Sequence, residues 1–290
     1  EDAVLDIAEG VRYLRERYQN VVLVGNSGGG PLMSVYQSQA ERPTIRKTPA
    51  GDPHDFTQAD LPLADALILV AAHTGRAQVL VDNMDPSVTD ENDPDSRDPS
   101  IDMFDGANGP PYSDGFIHRY RSEQKARNQR ITDWVQKTLK ERNSAGPRSD
   151  LAFTVYRTMA DLRFTDLNVD PSDRNLGCMW GDAEHYNRYT ATGHARYSSL
   201  RSWLSQWGLT TTNGDALKHL PNVSVPLLVI DYTGDQGAFP AYSRALYDAA
   251  TVEGKRLEHI IGASHYLIGQ EKQLKEMLDL VSDWLEDHRM

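Results

Sequence analysis

Val21-Val22-Leu23-Val24-Gly25-Asn26-Ser27-Gly28-Gly29-Gly30 is the stretch from which the rest of the chain is read. Its first four residues are apolar and three are β-branched, a run that predicts a strand over 21–25, buried on both faces as in a parallel sheet. Upstream, Val4, Ile7, Val11, Leu14 and Tyr18 recur at spacings of three and four, with Asp6, Glu9, Arg12, Arg15 and Glu16 between them. That pattern predicts an amphipathic helix over 1–18, ended by Asn20. Downstream, Pro31 to about Glu41 reads as a second helix.

A serine set between a strand and a helix in a very tight turn takes unfavourable backbone angles, and its neighbours crowd the adjoining strand and helix. Small residues relieve the crowding, and Gly25 and Gly29 are the expected positions. The Ser27 hydroxyl then stands clear at the carboxyl edge of the sheet, and the Gly28 amide opens the helix where a substrate oxyanion would form. Two plainer readings compete. A glycine-rich loop with a serine often only closes a turn. A phosphate-cradling loop needs a lysine and Ser or Thr after its last glycine, which is absent here. The run Gly25-Asn26-Ser27-Gly28-Gly29, between strand and helix, resembles the nucleophile elbow of the α/β-hydrolase superfamily.

A nucleophilic serine needs a base within hydrogen-bond reach and a carboxylate to orient that base. The resemblance implies the chain order Ser, acid, His, each on a loop after a strand. Pro226-Leu227-Leu228-Val229-Ile230 is a second buried-strand run, expected over 226–231, and leads into Asp231-Tyr232-Thr233-Gly234-Asp235. A helix over 241–250 and a strand over 256–261 follow, then Gly262-Ala263-Ser264-His265 and an amphipathic helix bearing Leu274, Leu278, Val281 and Leu285. Asp235 matches the family's acid position and His265 its histidine loop. Asp231, Asp82 and Asp85 remain rival acids. A further strand over 66–72 delivers His73 to the same sheet edge, where open α/β sheets bind ligands. His73 precedes the acid and breaks the family order, so it reads as a pocket-wall or cap-contact residue, and with Asn26 beside the serine it is a candidate to contact substrate.

The fold class is therefore α/β, with a parallel sheet of the α/β-hydrolase type. The resemblance covers only the second half of the family's core, in segments 1–75 and 223–290. The four expected strands leave a sheet edge and an apolar face to be completed by an upstream segment or a second chain. Residues 76–222 form a large, mostly helical cap insertion, since a parallel crossover needs only a dozen residues or so. Within it, Asp82 to Asp105 carries nine acids and one base, and reads as a solvated acidic loop. Arg119 to Arg142 reads as a helix with eight bases and three acids, its stripe being Ile131, Trp134, Val135 and Leu139. Trp203 and Trp207, four apart on a helix, are candidates to face substrate, although packing is the default role for such a pair.

Composition narrows the function. The chain has 290 residues, of which 30 are Lys or Arg and 42 are Asp or Glu, a formal net charge of -12. Such a surface repels phosphate backbones and argues against nucleic acid. No apolar run approaches the ~20 residues of a membrane-spanning helix. The single cysteine, Cys178, excludes internal disulfides, reads as an inert packed thiol and suits a cytoplasmic location. The resemblance implies a serine hydrolase cleaving an apolar or aromatic carboxylic ester, a small-molecule substrate. Ser27 is its nucleophile, His265 its base, Asp235 its orienting acid and Gly28 an oxyanion donor, with no metal or organic cofactor. The rival functions are a catalytically silent ligand-binding protein, a cofactor-free peroxidase, and another acyl or carbon–carbon hydrolase using the same residues.

Overall fold

The computed structural model describes residues 1–144, 146 and 150–290. By internal contacts the chain divides into two units. The first comprises Glu1–Gly75, Ser172–Asn175 and Gly214–Met290; the second comprises Arg76–Pro171 and Leu176–Asn213. Gly214 to Asn222 and the four residues Ser172–Asn175, which lie in the expected insertion by sequence, group with the first unit.

The first unit is a four-stranded parallel sheet with helices against both faces. In chain order its elements are α1 (Asp2–Arg15), β1 (Val22–Asn26), α2 (Gly29–Glu41), β2 (Ala66–Val70), β3 (Leu227–Tyr232), α3 (Pro240–Ala249), β4 (Arg256–Ile260) and α4 (Glu271–Asp287). The strand order is β1-β2-β3-β4, with Val24 beside Ile68, Ile68 beside Leu228 and Ile230 beside Glu258. β2 and β3 are buried at every residue. Their continuous apolar runs follow from helices on both sides.

Alternate side chains go to opposite faces. Leu67, Leu69, Leu227 and Val229 join Val4, Ala8, Val11, Tyr36 and Leu246 from α1, α2 and α3 in one core. Ile68, Val70, Leu228, Ile230 and Tyr232 join Ile260 and Trp284 of α4 in the other. β1 and β4 each have one sheet neighbour, and Val24 on β1 is 55% exposed. The inward stripe of α1 is Val4, Ala8 and Val11, so a small residue fills a position that counting large apolar residues overlooks. Tyr18 falls beyond the end of α1 and is exposed.

The elbow brings α2 very close to the sheet. A Cβ on Gly25 would lie 2.7 Å from the Gly29 carbonyl oxygen, and one on Gly30 would lie 2.5 Å from the Ala72 Cβ. A Cβ on Gly29 would meet nothing within 4 Å outside its own helix among the described residues. The second close-approach glycine is therefore Gly30, one residue later than the spacing predicts, because α2 turns Gly30 and not Gly29 toward β2.

In the second unit the basic segment is one long helix, Asp114–Ser144, burying Ile131, Val135 and Leu139. Trp134 is 44% exposed, its ring edge-on to Phe153. The acidic segment is not a solvated loop throughout. It contains a short antiparallel pair, Val88–Asp90 with Asp93–Arg97, and Asp85 and Asp102 are buried. Arg157 lies 2.7 Å from Asp85, and Arg97 and Arg188 lie 2.6 and 2.9 Å from Asp102. From the long helix, the buried Arg127 pairs with Glu91 at 2.6 Å, and Arg121 with Asp161 at 2.8 Å. Burial alone would raise the Asp161 carboxyl, but Arg121 and Arg163, the latter also 2.5 Å away, hold it far below the usual carboxylate range. Cys178 is buried, and that burial raises its thiol pKa. Among the described residues, no helix is long and apolar enough to cross a membrane.

The contrast within the glycine run is directly testable. Gly25→Ala and Gly30→Ala are each expected to cost about 1–3 kcal/mol, the range for forcing extra volume into a packed site. Gly29→Ala is expected to be neutral or to stabilise by up to about 1 kcal/mol, as alanine replaces glycine in a helix. Denaturant midpoints of the three variants separate these outcomes.

Candidate active site

Ser27 follows the last residue of β1 with φ of 53°, in the left-handed region that a non-glycine residue seldom occupies. Three hydrogen bonds hold it there. Its N–H donates to the Val70 carbonyl at 3.1 Å, its own carbonyl accepts from Gly30 N–H at 3.1 Å, and Asn26 Nδ2 also donates to Val70 at 3.0 Å. Gly28 takes helical angles as the N-cap of α2, so its amide lies in the first turn, where amides lack a partner within the helix.

His265 stands on the loop after β4, with its Nε2 3.0 Å from Ser27 Oγ and its Nδ1 2.6 Å from Asp235 Oδ2. An ionised carboxylate only accepts, so Nδ1 carries the proton and Nε2 is left to accept from the serine hydroxyl. Asp235 is fully buried, and its other oxygen accepts from Gly237 N–H at 2.6 Å and Ala238 N–H at 2.9 Å. Tyr266 lies edge-on to the imidazole at 4.7 Å between centroids. The arrangement has an acceptor on the hydroxyl, a buried charge behind the ring, and a helix N-terminus beside the serine.

The rival acids are occupied elsewhere. Asp231 pairs with His259 of the neighbouring strand at 2.9 Å. Asp85 pairs with Arg157 and Asp82 with Arg163, both within the second unit. Among the other site candidates, His73 is buried at the end of β2, and the Asn26 amide is committed to the Val70 carbonyl. Trp203 and Trp207 bound a π-helical turn, not one face of an α-helix. Trp203 is fully enclosed, its indole N–H donating to Thr132 Oγ1 at 3.0 Å, which makes it a packing residue of the second unit. Trp207 has the Arg76 guanidinium 5.9 Å from its ring.

Sequence reasoning misses the residues that hold the histidine loop. Gln270 Oε1 accepts from both the amide and the hydroxyl of Ser264, each at 2.8 Å, and its Nε2 donates to the Gly262 carbonyl at 2.8 Å. Thr233 Oγ1 accepts from Gly262 N–H at 2.8 Å. A glutamine five residues beyond the histidine gives no sequence signal, because its role exists only once the loop has closed on it.

No family model matches the sequence, and no curated protein matches it. Solved structures similar to it include a monoacylglycerol lipase of Paleococcus ferrophilus, 13% identical, with TM-score 0.44 over 99% of this chain and 74% of that one. The esterase domain of a Rhodothermus marinus protein is 11% identical, with TM-score 0.43 over 97% and 68% of the two chains. The alpha/beta hydrolase GrgF of Penicillium sp. sh18 is 12% identical, with TM-score 0.48 over 98% and 71%.

The buried Asp231 carboxyl gives the stability a pH dependence. Burial raises the Asp231 carboxyl above its ordinary pKa, outweighing the hydrogen bond with His259. The folded state then holds this proton more tightly than the unfolded chain, so the contribution is present at low pH and is lost as pH rises through the raised pKa. Asp231→Asn, which cannot ionise, is expected to gain stability relative to the parent protein as pH rises from about 4, the ordinary carboxylate value, through the raised pKa. Denaturant midpoints across that window check it, and parallel profiles for the two proteins would refute it.

Proposed function

We propose that the protein is a serine hydrolase acting on a carboxylic ester. The observation that carries this reading is the unbroken chain from Ser27 Oγ through His265 to the buried Asp235, at 3.0 and 2.6 Å. Ser27 attacks the acyl carbon while His265 Nε2 takes its proton, and the imidazolium so formed is stabilised by Asp235. The Gly28 amide donates to the tetrahedral oxyanion. His265 returns the proton to the leaving alcohol. Water, deprotonated by the same imidazole, then releases the acid and restores the hydroxyl. The strained turn at Ser27 supports the nucleophile's role, since it holds the hydroxyl away from the backbone, where a turn-closing serine would bond locally. An apolar or aromatic ester suits an acidic chain, because a strongly anionic substrate would be repelled.

Covalent labelling with a fluorophosphonate, followed by mass spectrometric mapping, is the direct test. Label is expected on Ser27 and is expected to vanish in Ser27→Ala and fall below detection in His265→Ala. With a nitrophenyl ester and no added peroxide, Asp235→Asn is expected to lower kcat by about 10⁴-fold, since the orienting carboxylate sets the tautomer of the base. A folded protein that takes no label would overturn the hydrolase reading and leave a ligand-binding protein of the same fold.

A further inference from the structure

Resting on the hydrolase reading, we propose that Asp173 is a positioning residue for the Asp235–His265 pair and acts through the Thr233 hydroxyl. In sequence Asp173 lies deep in the insertion, yet Ser172–Asn175 packs as part of the first unit, as a four-residue strap. The strap grips the acid loop on both sides of Asp235. Before the acid, Asp173 N–H donates to the Thr233 carbonyl at 3.0 Å, and Thr233 Oγ1 donates to Asp173 Oδ2 at 2.5 Å. After it, Gln236 Nε2 donates to the Asn175 carbonyl at 3.2 Å. Between these, the Arg174 guanidinium lies 5.4 Å from the ring of Phe239, the buried N-cap of α3.

The Thr233 hydroxyl links this grip to the histidine. It has one hydrogen, given to Asp173, so its oxygen is free to accept the Gly262 amide at the head of the histidine loop. Donating to a carboxylate polarises a hydroxyl and makes it a better acceptor. A second tie runs beside it, from Gly234 N–H to the Ala263 carbonyl at 3.0 Å. The acid loop and the histidine loop are therefore fixed to each other at one point that depends on Asp173. The 2.6 Å bond between Asp235 and His265 spans those two loops, and small misplacements of such groups are costly in rate.

The test uses the full chain and two readouts. One is the maximal rate of Ser27 labelling by a fluorophosphonate, separated from the reagent's apparent affinity. The other is the far-downfield proton resonance of His265 Nδ1–H, which reports the bond to Asp235 without any turnover. Thr233→Val and Asp173→Ala are expected to slow maximal labelling by about 10-fold, within the loss expected of displaced groups, with affinity unchanged and the proton signal broadened. Thr233→Ser, which keeps the hydroxyl, is expected to behave as the parent protein. Melting temperatures of the four proteins identify any variant that has merely unfolded, and the exposed Asp173 decides the matter if Thr233→Val does not fold. Parent-like labelling and an unchanged proton signal in both Thr233→Val and Asp173→Ala would overturn the proposal. Absence of label on the parent protein would defeat the hydrolase reading alone, and the proton signal would still judge the role of Asp173.

Discussion

One bent residue organises the first unit. At Ser27 the backbone passes from a half-exposed strand to a helix through a left-handed conformation, and much around it follows from making that turn possible. α2 must start at once and lie close on the sheet, so Gly25 and Gly30 have no room for a Cβ. The Val70 carbonyl at the end of β2 must be free to take both the Ser27 amide and the Asn26 side chain. β2 lies beside β1 in parallel register, which puts that carbonyl next to the turn. A strained φ costs on the order of 1–3 kcal/mol and persists only where its surroundings over-determine it. Here three hydrogen bonds and two glycine contacts do so.

The electrostatics of the two units differ in kind. The first holds its buried charges sparingly, with Asp235 satisfied by two backbone amides and one imidazole. The second buries Asp85, Asp102 and Asp161 against Arg157, Arg188, Arg121 and Arg163. Such pairs add little net stability over apolar packing, but removing one partner strands the other and is expensive. The second unit is thus intolerant of single charge losses in its interior, whereas the first relies on backbone amides and imidazoles around Asp235 and Asp231.

How far this was legible in the sequence depends on whether the signal was local. Val21 to Gly30 announced a strand, a turn and a helix because β-branched residues, small residues and a helical period follow one another without interruption. Thr233-Gly234-Asp235 and Gly262 to His265 were legible as turns at strand ends, so the residues the structure brings together could be named in advance. A run of three glycines could not reveal which faces the sheet, and the spacing pointed to Gly29 where α2 presents Gly30. The acidic segment read as solvated because its counter-charges, Arg157 and Arg188, lie far along the chain and meet it only on folding. Trp203 and Trp207 read as an α-helical pair because spacing does not distinguish an α-turn from the π-turn they adopt.

Asp173 marks the limit of local reading most clearly. Nothing about a Pro-Ser-Asp-Arg stretch inside a long insertion suggests a tie to a strand end 60 residues later. Its significance arises from topology. The chain leaves β2 at the sheet's carboxyl edge, which is also where the loops bearing Asp235 and His265 emerge. Ser172–Asn175 lies against the acid loop, and Asp173 bonds Thr233 there, whose hydroxyl in turn accepts from the histidine loop. The insertion is therefore more than an appendage between β2 and β3. Through four of its residues it enters the first unit's own hydrogen bonding, beside the bond between Asp235 and His265 on which the proposed chemistry depends.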